Sequence, residues 1–213
     1  MTSVLLTLLL ANAAAADVVP GWRDLYERCE TAVVADMPFD ATGLASRPPP
    51  VVGEVVEQAP FRDRIDYRTL ATSGRIVPAI WGVEGGRFEV ELLEYPARNG
   101  TRAICEVVVA RDASALDDAE AEALLVAFDD LVGDRLADGD WRDLDLDAGV
   151  GTTRTGMQLA APNSRGCIVT ASMTVDPADG YFRSSVAEAA GDPGCGGQSL
   201  LTGRRALQRK ATE

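Results

Sequence analysis

Histidine is absent from this 213-residue chain, and lysine occurs once, at Lys210. Without histidine, Ser-His and Cys-His nucleophile systems, histidine-ligated metals and histidine acid–base steps are all excluded within the chain. There is no SxxK spacing and no CxxC pair, so serine–lysine nucleophiles and CxxC thiol redox chemistry are excluded too. Carboxylate chemistry survives, in which an acid of raised pKa works beside an ionised partner. The carboxylates nearest a core are Glu94 and Glu106, each interrupting an apolar strand. Charges on the wet face of a sheet, paired with Arg98, Arg102 or Arg111 across strands, account for them better.

Other absences narrow the field further. The N-terminal apolar run, Val4 to Leu10, falls well short of the roughly 20 residues a membrane-spanning helix needs. The glycines of AGVGTTRTG meet neither the dinucleotide GxGxxG spacing nor a phosphate loop, for no Lys follows them. Positive charge is scarce: the net charge is −13. Nucleic acid is excluded as a ligand, because its binding rests on neutralising phosphates with Lys and Arg. A basic protein or peptide is the partner that the charge favours.

What is present starts with export. An uncharged apolar run leads into Ala14, Ala15 and Ala16 and then Asp17, the order of a signal peptide cleaved before Asp17. This gives an expected signal segment 1–16, a single domain 17–202 and a short basic tail 203–213 carrying Arg204, Arg205, Arg209 and Lys210. The mature protein is expected to be periplasmic or secreted, without a membrane span. Four cysteines, Cys29, Cys105, Cys167 and Cys195, then predict two disulfides. Cys29 and Cys105 both fall on apolar faces, which favours Cys29 with Cys105 and Cys167 with Cys195. Cys29 with Cys167 remains open, because Cys167 also points inward.

Periodicity supplies the elements. Trp22, Leu25, Tyr26, Cys29 and Val33 recur at helical intervals behind Pro20, predicting an amphipathic helix that ends near Met37 and Pro38. Residues 40–73 carry little periodicity and read as a wrapping loop with a short helix near Phe61 to Leu70. From Arg75 the period becomes two. Val77, Ala79, Trp81 and Val83 and then Phe88, Val90 and Leu92 predict a hairpin, with Pro78 placing its first strand at a sheet edge. Ala103, Cys105, Val107 and Val109 form a third strand, with Glu106 facing away. A helix follows from Ser114 to Ala137, with Ser114 and Asp117 as a capping-box variant and Gly139 as its stop. Strands at Thr153–Ala160, Cys167–Val175 and Tyr181–Ala189 complete an α+β domain: a mainly antiparallel sheet packed by the N-terminal helix and the central helix.

The acidic excess is concentrated. From Asp112 to Asp147 there are thirteen acidic residues and two arginines, Arg135 and Arg142. Within it, Asp143, Asp145 and Asp147 repeat the alternating carboxylates that open an EF-hand loop. Gly149 comes one place late, however, and Arg154 stands where a bidentate Glu is needed. Trp141, flanked by Asp140 and Arg142, reads either as a partly exposed contact residue or as an anchor packing the loop onto the domain, the second being the more ordinary role. Trp141, Asp140, Asp143, Asp145 and Asp147 are therefore the candidate partner contacts. No residue is assigned to catalysis, cofactor or metal. The reading is an exported, non-catalytic binding or accessory module with an acidic lobe. A carboxylate-dependent periplasmic hydrolase and a cation-stabilised structural protein are the alternatives.

Mass spectrometry of the exported protein should give a chain beginning at Asp17 whose four cysteines alkylate only after reduction. An N terminus elsewhere, or thiols that alkylate without reductant, would contradict the export and pairing arguments respectively.

Overall fold

The computed structural model describes residues 2–48, 77–146, 152–176, 181–189 and 194–201, with side chains from Val18 onward except those of Val77 and Pro78. Two helices, α1 (Thr2–Val34) and α2 (Asp118–Asp138), pack on an eight-stranded antiparallel sheet. The strands are β1 (Ala45–Arg47), β2 (Val77–Gly82), β3 (Phe88–Ala97), β4 (Gly100–Val109), β5 (Trp141–Asp143), β6 (Thr153–Leu159), β7 (Val169–Asp176) and β8 (Tyr181–Glu188). Their spatial order is β1-β2-β3-β4-β8-β7-β6-β5, so three-residue strands close both edges. The fold is α+β, as the alternation of periods two and 3.6 predicts. The short helix expected near Phe61 to Leu70 lies outside the described residues.

Both helices cover one face of the sheet. From the strands, Val90, Leu92, Cys105, Val107, Ala171, Met173, Val175 and Val186 face Trp22, Leu25, Tyr26, Cys29 and Val33 of α1 and Leu124, Phe128 and Leu131 of α2 in one buried cluster. Strand alternation puts every second residue there, visible in β8 as a strict alternation of buried and half-buried positions. Trp22, Tyr26 and Phe128 form an aromatic triangle between the helices, with ring centroids 5.5–6.2 Å apart. The Trp22 indole N–H donates to Ser184 Oγ at 2.8 Å, giving the one polar atom of that ring a partner inside the core. On the helices' outer side, Arg135 holds Glu30 through two hydrogen bonds of 3.0 and 2.8 Å, joining α2 to α1.

Four expectations change. The helix α1 continues on the N-terminal side of Pro20, which therefore lies inside it, and stops at Val34. The reversal comes at Asp36, whose φ of 54° is left-handed, one residue before the expected end at Met37. Cleavage before Asp17 would return Pro20 to a first turn, where its missing N–H costs nothing. Secondly, the α2 cap is Asp117, not Ser114. Asp117 Oδ1 accepts from the Glu120 N–H at 2.8 Å, and Glu120 Oε2 accepts from the Asp117 N–H at 3.0 Å. Ser114 instead accepts from Arg87. Thirdly, β2 is not an edge strand, because β1 pairs outside it. The pairing reaches only Ile80–Gly82, so Pro78 lies beyond it and no ladder amide is missed there. Fourthly, Val83 belongs to the turn and is exposed, while Ile80 of the opposite face is buried.

Both favoured disulfides are present. Cys29–Cys105 ties α1 to β4 with α-carbons 5.3 Å apart, and Cys167–Cys195 ties the start of β7 to segment 194–201 with α-carbons 4.5 Å apart. That segment is further fixed by reciprocal backbone hydrogen bonds of 2.9 Å between Thr101 and Gly197. The approach needs Gly100: a Cβ there would sit 2.1 Å from the Gly197 carbonyl oxygen. Glu94 completes the anchor, accepting from the Leu200 N–H at 2.6 Å and from Ser199 Oγ at 2.8 Å.

Candidate functional site

The two edges of the sheet carry different arrangements of charge. At the β5 edge, Asp140, Asp143 and Asp145 are exposed, and Asp147 lies outside the described residues. Along the wet face of α2, Asp118, Glu122, Asp129, Asp130 and Asp134 are exposed as well. Among the described residues no cation lies within ion-pair distance of Asp129, Asp130, Asp134, Asp140, Asp143 or Asp145. Of the two arginines in this stretch, Arg135 is turned to Glu30. The lobe is thus a strongly acidic surface running from the first turn of α2 to β5, with Arg142 exposed among its carboxylates.

Trp141 is not part of that surface. It is 6% exposed and packs into the main core, pairing across to Leu159. Of the two readings of Trp141 the packing anchor holds: β5 pairs with β6, which lays Trp141 against the core, while Arg142 and Asp143 are exposed.

At the opposite edge lies a cleft of about 430 Å³, lined by Ala45, Arg47, Pro48, Glu84, Gly85, Glu89, Arg111 and Asp112. Local structure explains it. The β2–β3 hairpin turns at Glu84 and Gly85, and the β4–α2 connection brings Arg111 and Asp112 alongside. Arg47 of β1 lies across β2 because Gly82 presents no side chain: a Cβ there would stand 3.0 Å from Arg47 Nε. Arg47 donates to Asp112 Oδ2 at 3.1 Å. Arg111 Nε lies 3.2 Å from Glu89 Oε1 and its Nη2 3.7 Å from Glu91 Oε1.

Glu89 is the unusual member. It is 1% exposed, and its Oε2 accepts no hydrogen bond; Arg47 Nε, at 4.0 Å, is out of reach. Leaving a buried oxygen unmet costs about 1–3 kcal/mol. Burial pushes the Glu89 carboxyl above the usual carboxylate range, with Glu91 and Asp112 adding to the shift and Arg111 and Arg47 opposing it. Asp112, fully exposed, is held below that range by its hydrogen bond with Arg47. Sequence reasoning missed Glu89, whose alternation with Phe88 and Val90 reads as an ordinary wet-face residue. What buries it comes from β1 and the β4–α2 connection, remote in sequence.

The other interior carboxylates are committed elsewhere. Glu94 anchors Ser199 and Leu200. Glu106 pairs with Arg183 on the face away from the helices, as its alternation predicts. Glu188 is buried against Arg165, and burial pushes its carboxyl upward, opposed by hydrogen bonds from Asn163 and the Ala103 N–H. Among the described residues no group of three or more His, Cys, Asp or Glu side chains is placed to hold a metal ion. No described helix is long and apolar enough to cross a membrane. The two disulfides are those of an oxidising, extracellular or periplasmic setting. The fold and its sites thus define a disulfide-stapled α+β domain with an acidic lobe at one edge and a charged cleft at the other. No protein-family model, curated protein or solved structure matches the chain.

The pH dependence at Glu89 has a definite sign. A folded-state pKa above the unfolded one contributes stability that is fully present at low pH and is lost as pH rises through the folded value. The unfolding free energy of the wild type relative to Glu89→Gln should therefore fall as pH is raised from about 4 to about 7. Urea titrations of both proteins across that range measure it. A difference that grows with pH would mean that Arg47 and Arg111 outweigh burial.

Proposed function

We propose that this chain is an exported, non-catalytic binding or accessory module, periplasmic or secreted, whose acidic lobe on α2 and β5 engages a basic protein or peptide. The supporting observation is how the arginines are distributed. Arg23, Arg28, Arg47, Arg87, Arg111, Arg135, Arg165 and Arg183 each pair with a carboxylate outside the exposed faces of α2 and β5, or, for Arg87, with the capping Glu120. The exposed carboxylates of the lobe are left without such ion pairs, and Arg142, also exposed there, is one cation among them. Uncompensated like charges on a rigid helix repel one another, at a cost to the isolated protein. The arrangement favours a partner that brings the missing cations. Asp140, Asp143 and Asp145 extend the lobe past the end of α2, and Trp141 contributes by anchoring β5 beneath them.

Exposed charges act over about a Debye length, roughly 10 Å at 0.1 M salt, so binding through the lobe must weaken with ionic strength. Immobilised wild-type protein should retain basic envelope proteins that elute as salt is raised. A variant carrying Asp129→Asn, Asp130→Asn and Asp134→Asn should lose most of that retention while its thermal stability is not lowered. Equal retention by the variant, or retention indifferent to salt, would overturn the proposal.

A further inference from the structure

A second site is built at the other edge of the sheet, independent of the acidic lobe. Its walls come from three separated parts of the chain: the edge strand β1, the β2–β3 turn, and the β4–α2 connection. At about 430 Å³ the cleft is in the range that small ligands occupy. Glu89, one of the lining residues, keeps an unsatisfied acceptor, Oε2, which is closed to solvent with the Arg47 guanidinium lying beside it. Three carboxylates, Glu84, Glu89 and Asp112, line the space against two guanidinium groups. Neither guanidinium is uncommitted, for Arg111 lies against Glu89 and Glu91 and Arg47 holds Asp112. An anion would have to displace carboxylates already in place. A cation with N–H donors meets the unsatisfied oxygen and the charge excess together.

We propose that the cleft binds a compact organic cation, a primary ammonium or guanidinium group, which displaces Arg47 and donates an N–H to Glu89 Oε2. Arg47 then acts as a competitor. Its Nε stands 4.0 Å from Oε2, near enough to repel an entering cation yet too far to satisfy the oxygen. Gly82 leaves the shelf on which Arg47 lies, and Asp112 holds the Arg47 guanidinium to the rim.

The test is an amide chemical-shift titration of the intact, disulfide-bonded protein with n-butylammonium and n-butylguanidinium, following Gly82, Gly85 and Asp112, with inorganic phosphate as the anionic control. At least one of the two cations should shift these amides saturably. Glu89→Gln should weaken that binding about tenfold or more, the loss expected for a hydrogen bond to a charged group. Arg47→Gln, on an exposed edge strand, should tighten it. The Asp129→Asn, Asp130→Asn, Asp134→Asn variant should bind like wild type, which separates this site from the lobe. The proposal is overturned if neither cation gives saturable shifts, or if Glu89→Gln binds as tightly as wild type. It also fails if phosphate binds at these amides and Arg47→Gln weakens it, since the cleft would then be an anion site.

Discussion

A guanidinium side chain that is 1% exposed must have its charge and its N–H donors answered by the protein, and one end of this molecule is organised around that demand at Arg165. Its Nη1 donates to Asp36 Oδ1 at 3.1 Å and to the Gln198 carbonyl at 2.8 Å, and its Nη2 donates to the Thr101 carbonyl. Its Nε lies 2.9 Å from Glu188 Oε1, an ion pair not aligned as a hydrogen bond. These partners belong to the end of α1, the start of β4, the C-terminal segment and the end of β8. Asn163 extends the network, donating to the Val33 carbonyl and to Glu188 while accepting from the Arg165 and Cys167 N–H groups. The Cys167–Cys195 bond and the Thr101–Gly197 pairing close the same junction. Taking ions out of water costs several kcal/mol each, so this junction holds only while all of its members are in register.

That junction leaves the two sheet edges free to differ. The helix-covered face is apolar across most of its width, with Glu94 and Glu188 confined to the ends of their strands, where loops meet them. The opposite face carries Glu89, Glu91, Glu106 and Arg183; there Arg183 pairs with Glu106, and Arg111 lies against Glu89 and Glu91. Exposed carboxylates on α2 need no burial and cost little fold stability, whereas Glu89 is desolvated and partly unmet. The lobe therefore suits long-range, salt-sensitive attraction and the cleft suits short-range recognition.

Local patterns were the legible part of the fold. Helical spacing from Trp22 to Val33 found the packed stretch of α1, and the acid-rich start and Gly139 bracketed α2 to within a few residues. Period-two runs found β2–β4 and β6–β8, and the two cysteine pairs followed from which faces Cys29 and Cys105 occupy. The three-residue β1 and β5 escaped because so short a run carries no period of its own. Ser114 competes with Asp117 for the cap in the sequence because both are good N-cap residues, and only Asp117 stands three residues before Glu120. The site residues were less legible for a physical reason: what makes Arg165, Glu188 and Glu89 unusual is burial by partners distant in sequence. Arg165 meets Asp36 across 129 residues and Thr101 across 64. The acidic lobe, being a matter of local composition, was visible at once.

The account rests on the buried Arg165 junction, and urea unfolding of Arg165→Met tests it directly. Removing the guanidinium leaves Glu188 buried without its cation, and the loss should be about 3–5 kcal/mol, with part recovered when Glu188→Gln is added. A variant within about 1 kcal/mol of wild type, or a double variant less stable than Arg165→Met alone, would contradict the claim that this ion pair holds the end of the fold together.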